Sequence, residues 1–183
     1  MRVRSVVTAF AVAGAFVVGS GAGVAAADSR ADSRAEGGAG SSVVAPLQTK
    51  LTHSQATSRF QSSGITWSSS GGCSDRNVPT CTSFDQLNLA SAQGAQTLRS
   101  ASGCSLNITG GTETGHAGGT YSHWNGYKLD YGLNSCINNY VTSVFTYIGQ
   151  RSDGAALYES GSGNIYAREG NHWDVTYYNC GGC

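Results

Sequence analysis

All six cysteines of this 183-residue chain lie at or beyond position 73: Cys73, Cys81, Cys104, Cys136, Cys180 and Cys183. An even cysteine set confined to one part of an exported chain reads as a disulfide framework. The N-terminus says that the chain is exported. Arg2 and Arg4 give a positive start, Val6 to Val24 is apolar or small without a charge, and Ala25-Ala26-Ala27 precedes Asp28. This predicts a secretory signal peptide over residues 1–27, cleaved after Ala27, and a secreted, extracellular product with no stable membrane anchor. Three disulfides are then expected. Six cysteines allow 15 pairings and the sequence does not choose among them; in one of these Cys73–Cys81 closes a short loop, Cys104–Cys136 ties a helix end to a later segment, and Cys180–Cys183 is left. The spacing of Cys180-Gly-Gly-Cys183 also suits zinc, but no second CxxC accompanies it and the compartment is oxidising.

Removing residues 1–27 takes away two of the 11 basic residues and none of the 11 acidic ones, leaving a net charge of −2. That balance argues against a nucleic-acid partner, which calls for a basic face. Residues 28–55 read as a disordered linker or short propeptide: Asp28-Ser-Arg-Ala31 repeats as Asp32-Ser-Arg-Ala35, and few apolar groups offset the ordering entropy. His53 falls in that stretch and needs no function there. Residues 56–183 are enough for one domain with one core, expected as a monomer.

Within that domain a helix is predicted from Ser83 to Ser102, with Ser83 and Gln86 as a capping box and Gly103 as its stop. Ser105–Thr109 alternates like a strand, residues 110–122 form a glycine-rich loop, and Tyr127–Tyr131 reads as a strand. Ile137, Tyr140, Val141, Val144, Phe145 and Ile148 recur at helical spacing, capped at Asn134 or Ser135 and ended by Gly149. Ala156–Glu159 and Asn164–Arg168 flank Ser160–Gly163 as a hairpin, and His172–Tyr178 is a last strand. The expected class is α+β: a single disulfide-stabilised domain in which helices flank an antiparallel sheet.

The chemistry concentrates in two stretches, His123-Trp-Asn-Gly126-Tyr-Lys-Leu-Asp130 and Glu169-Gly-Asn-His172-Trp173. Two imidazoles and a carboxylate make a common catalytic zinc set, with one position left to water. A carboxylate beside that water, Glu169, would take its proton. His116 and Glu113 stand upstream as candidate helpers; a solvated loop histidine is the plainer reading of His116, and Glu113 reads equally as a helper carboxylate or a turn residue. Lys128 is most simply the solvated face of its strand. No GxxxxGK or G-x-S-x-G pattern competes.

Together the two stretches resemble the zinc D-alanyl-D-alanine carboxypeptidase and dipeptidase family. That group also includes phage L-alanyl-D-glutamate endopeptidases and the hedgehog signalling domain. Its pattern is S-x-H-x-x-G-x-A-x-D followed by E-x-x-H, often with Trp beside the second His. The resemblance implies a hedgehog/D,D-peptidase-like fold, a Zn2+ cofactor held by His123, Asp130 and His172, and Glu169 as the catalytic general base. Trp173 matches the neighbouring aromatic and, with His116 and Glu113, is a candidate substrate contact. The implied partner is a peptide or peptidoglycan stem-peptide substrate; the alternative is a non-catalytic, zinc-stabilised binding module of the cell wall or extracellular space. The chain departs from the pattern at Tyr121, where the family has Ser, and at Lys128, where it has a small residue. It also lacks the upstream Arg that contacts substrate, since Gly110-Gly-Thr-Glu113 stands at that place.

Overall fold

The two stretches that carry the histidines run into neighbouring strands, and the rest of the fold is arranged around that pair. The computed structural model describes residues 49–178, and these lie in one compact unit. Its strands are β1 (Lys50–Leu51), β2 (Thr66–Trp67), β3 (Leu87–Asn88), β4 (Asn107–Gly110), β5 (Lys128–Gly132), β6 (Thr146–Gln150), β7 (Ala156–Glu159), β8 (Ile165–Arg168) and β9 (His172–Thr176). The helices are α1 (His53–Ser62), α2 (Leu89–Ser102) and α3 (Ser135–Val144). The fold of the described residues is thus mixed α+β. β1 and β3 form a small antiparallel sheet, and the main sheet has the order β2-β4-β5-β9-β8-β7-β6. The expected antiparallel sheet needs one correction: β2 runs parallel to β4. Parallel neighbours need a crossover, and α2 lies in the connection between them.

β5 and β9 are paired along their whole length, from Lys128 opposite Thr176 to Gly132 opposite His172. Strand alternation gives the pair two unlike faces. Leu129, Tyr131, Trp173 and Val175 are buried in the core with Phe60, Phe84, Leu98 and Ile137. Lys128, Asp130, His172 and Asp174 stand on the other face and line a cleft.

Two helix expectations fail for local reasons. The predicted helix from Ser83 starts only at Leu89. The Ser83 N–H is given to Glu113 Oε2 at 2.7 Å and the Phe84 N–H to His53 Nδ1 at 3.0 Å. Leu87 and Asn88 pair with β1, so the capping box never forms. His53, expected in the linker, is the first residue of α1 and stacks on Phe84. The ordered chain therefore already includes β1, within the 28–55 stretch read as disordered. The predicted helix through Ile148 stops at Val144, because Thr146–Gln150, rich in β-forming side chains, pairs with β7. Gly149 takes φ 117° at an irregularity in that pairing rather than ending a helix.

The disulfides Cys73–Cys81 and Cys104–Cys136 are formed. Cys180, Cys183 and the leader over 1–27 lie outside the described residues. Among the described residues no helix is long and apolar enough to cross a membrane.

Candidate metal centre

His123 enters the cleft from a turn just before β5. The turn depends on Gly126, whose φ is 76°. Its N–H is donated to the His123 carbonyl at 2.8 Å, and its own carbonyl accepts from the Asn88 N–H and from Ser91 Oγ at 2.7 Å. A Cβ there would collide with the Gln86 carbonyl. This is the physical content of the glycine in His123-Trp-Asn-Gly126: the turn is pressed against β3, and that contact fixes where His123 points. Gly110 does the same service from β4. A Cβ on it would overlap the Asp130 carboxylate, so the missing side chain makes room for that group.

Asp130 lies in the middle of the cluster. Its Oδ1 is 3.3 Å from His123 Nε2 and 3.6 Å from His172 Nε2. Its Oδ2 is 3.8 Å from His116 Nδ1. Each imidazole has its other nitrogen engaged by an oxygen. His123 Nδ1 donates to the Gly111 carbonyl at 2.6 Å, His172 Nδ1 to Asn171 Oδ1 at 2.8 Å, and His116 Nε2 to Glu113 Oε1 at 3.2 Å. Such second contacts fix the tautomer and turn the free nitrogen toward an ion. His116 also stacks on His123, with ring centroids 3.8 Å apart.

These residues fit a metal. Asp130 is 5% exposed, yet its Oδ1 has no hydrogen-bond partner. A buried carboxylate oxygen without a partner is costly, and a cation between it and the facing imidazole nitrogens removes that cost. Two donors on a tetrahedral ion at about 2.0–2.2 Å lie roughly 3.3–3.6 Å apart. The separations from Asp130 to His123 and His172 are of that size. Among the described residues the group whose ligand atoms all lie within 4.8 Å of one another is His116, His123 and Asp130, so this group could hold a metal ion; His172, expected in the set, faces Asp130 but is not part of that group.

A comparison against protein-family models, curated proteins and solved structures finds no match.

Around the cluster the cleft has a volume of about 600 Å3. Glu169 reaches it from the segment before β9, with Oε2 3.3 Å from His172 Nε2. Its other oxygen is paired with Arg151. Glu113 is buried and accepts from the Ser83 and Gly111 N–H groups. Burial alone would raise its pKa, but hydrogen bonds from His116 and from those N–H groups bring it below the usual value.

Four charged groups in the cleft, Lys128, Arg151, Asp153 and Asp174, were not identified from the sequence as parts of a site. Asp174, two residues after His172, is 6% exposed. Its Oδ2 pairs with Lys128 Nζ at 2.6 Å and with Arg151 Nη1 at 3.1 Å. Lys128 is thus held in an ion pair rather than being a freely solvated side chain. Burial works against the charge of Asp174, but the facing His123 and the Lys128 ammonium hold its pKa well below the carboxylate range. Burial likewise opposes a charge on His123, and Asp130 and Asp174 override it, raising the imidazole to about 10 in the metal-free protein. A period-of-two count from His172 was the available signal for Asp174. Nothing local marks Arg151, which comes from the turn between β6 and β7. The alternation of β9 turns Trp173 away from the cleft: it is 1% exposed and its Nε1 donates to Asn138 Oδ1. The expectation of a substrate contact at Trp173 is corrected to a core role.

Proposed function

We propose that the chain is a secreted zinc-dependent peptidase that hydrolyses amide bonds in peptidoglycan stem peptides, with a hedgehog/D,D-peptidase-like fold. The observation that carries this reading is the unpartnered, buried Oδ1 of Asp130, faced by the Nε2 atoms of His123 and His172. His123, Asp130 and His172 are the residues that would hold the ion. Zinc, when bound, supplies Lewis acidity that polarises an amide carbonyl and acidifies water.

The remaining steps belong to the chain. Glu169, at the open side of the cleft beside His172, takes the proton of the attacking water and returns it to the leaving amine. Arg151 orients that carboxylate through its ion pair. Arg151 and Lys128 also bring positive charge into a cleft whose upstream stretch, Gly110-Gly-Thr-Glu113, has none. They support the oxygen that becomes negative when the carbonyl is attacked. The two disulfides suit an oxidising extracellular compartment.

A second reading has its own observation. His116 adds a further imidazole facing Asp130, and a site closed by four protein donors is a structural one. The protein would then be a zinc-stabilised binding module. Incubating the zinc-loaded protein with purified peptidoglycan decides between the two. Hydrolysis releases new amino groups, and Glu169→Gln should lower that rate by about 10²–10⁴-fold while keeping its zinc. Retention on peptidoglycan without release of amino groups supports the binding module instead.

A further inference from the structure

Asp130 and Asp174 are directly opposed across the β5–β9 pair. Like charges in that position destabilise a sheet, and here both side chains are more than nine-tenths buried. Of their outer oxygens, Asp130 Oδ2 lies 3.8 Å from His116 Nδ1 and Asp174 Oδ2 is accounted for by Lys128 and Arg151. Their inner oxygens are not. Neither Asp130 Oδ1 nor Asp174 Oδ1 has a hydrogen-bond partner, and both converge on His123 Nε2, at 3.3 and 3.7 Å. His123 already spends its Nδ1–H on the Gly111 carbonyl. In the neutral imidazole Nε2 is then a bare lone pair, so three acceptors point at one another. In the charged form Nε2 has a single proton for two carboxylates. A divalent cation in that space satisfies all three.

We infer that Asp174 is a further donor of the cation site, its Oδ1 joining His123 and Asp130. This rests on the reading of the cleft as a metal centre. The donor set then includes two carboxylates, which neutralise a divalent ion and make the site oxygen-rich, open to Mn2+ and Co2+ as well as zinc. The Asp174 side chain is 7% exposed, much like that of Asp130 at 8%. Asp174 makes a fourth protein donor beside His123, Asp130 and His172, so hydrolysis needs His172, 24% exposed in its side chain, to exchange with water or a substrate oxygen. Lys128 and Arg151 hold the outer oxygen and so aim the inner one.

Zinc titrations in competition with a chromophoric chelator test this on the full chain. Asp174→Asn should weaken zinc on the order of 100-fold or more, above the 10- to 100-fold typical of residues that only support a ligand. Glu159→Gln, which removes an exposed carboxylate outside the cleft, should bind zinc as tightly as the wild type. The absorption spectrum of the Co2+-loaded protein should change in Asp174→Asn and in the charge-preserving Asp174→Glu, and stay unchanged in Glu159→Gln. Wild-type zinc affinity in Asp174→Asn would overturn the inference, and so would weaker binding with an unaltered Co2+ spectrum in both Asp174 variants. A wild type that binds no divalent ion overturns both this inference and the peptidase reading. Asp174-dependent zinc binding without any release of amino groups from peptidoglycan supports the donor role and removes only the hydrolytic reading.

Discussion

The two faces of the β5–β9 pair are built on opposite principles. One presents Leu129, Tyr131, Trp173 and Val175 to the core, each 1% exposed or less. The other, in the same residues' gaps, presents Lys128, Asp130, His172 and Asp174 to the cleft. The core face gains from every contact it makes. The cleft face places two carboxylates side by side in a largely dry setting and leaves one oxygen of each unpartnered, an arrangement that costs stability unless a cation joins them. The contrast sets the core packing on one face and the candidate metal site on the other, within two strands.

The largest effect should come from crossing that division. Trp173→Ala is expected to cost about 3–5 kcal/mol, measured by denaturant unfolding, in the zinc-free and zinc-loaded protein alike. Asp130→Asn should act differently. Zinc at about a thousand times its Kd stabilises a specific site by roughly 4 kcal/mol, and that gain should vanish in the variant. A zinc-dependent loss in Trp173→Ala would blur the two faces.

The Cys104–Cys136 disulfide, with a sequence separation of 32, belongs to the core side. Replacing both cysteines by Ser should cost about 3–4 kcal/mol by the loop it opens, while zinc affinity stays as in the wild type. Loss of affinity in parallel would mean that the α3 side shapes the cleft.

The mildest probe is pH. An unfolded histidine titrates near 6.5, whereas His123 in the metal-free fold is raised to about 10 by Asp130 and Asp174 against its burial. The stabilisation from its charged form is therefore complete below about pH 6.5 and is lost as pH rises through 10. Unfolding of the metal-free protein at stepped pH should show stability falling across that window, and His123→Gln should flatten it. An equally steep fall in His123→Gln would assign the pH dependence to other groups.

Much of this division was legible in the residues. Tyr127–Tyr131 and His172–Tyr178 were read as strands and correspond to β5 and β9, and the Ser160–Gly163 turn located the hairpin beside them. Asn134 capped its helix as expected, accepting from the Ile137 N–H. The failures share a cause: long-range pairing overrode local preference. Glu113 and His53 took the N–H groups on which the Ser83 helix start depended, and β7 drew Thr146–Ile148 out of the helical pattern. In the site, His116, His123, Asp130, Glu169 and His172 come together because their spacing along the chain matched strand and turn geometry. Asp174 and Arg151 were hidden for different reasons. Asp174 reads as an ordinary alternating strand residue until its partner across the sheet is known. Arg151 reaches the cleft only because β6 and β7 bring a distant turn beside β9.

The most direct test of the account is the metal content of the purified wild type beside His123→Ala and Asp130→Ala. The geometry predicts about one zinc per chain in the wild type and none in either variant. A wild type without zinc after refolding with zinc and dialysis, or variants that retain it, would contradict the claim that the cleft face of β5 and β9 is a metal centre.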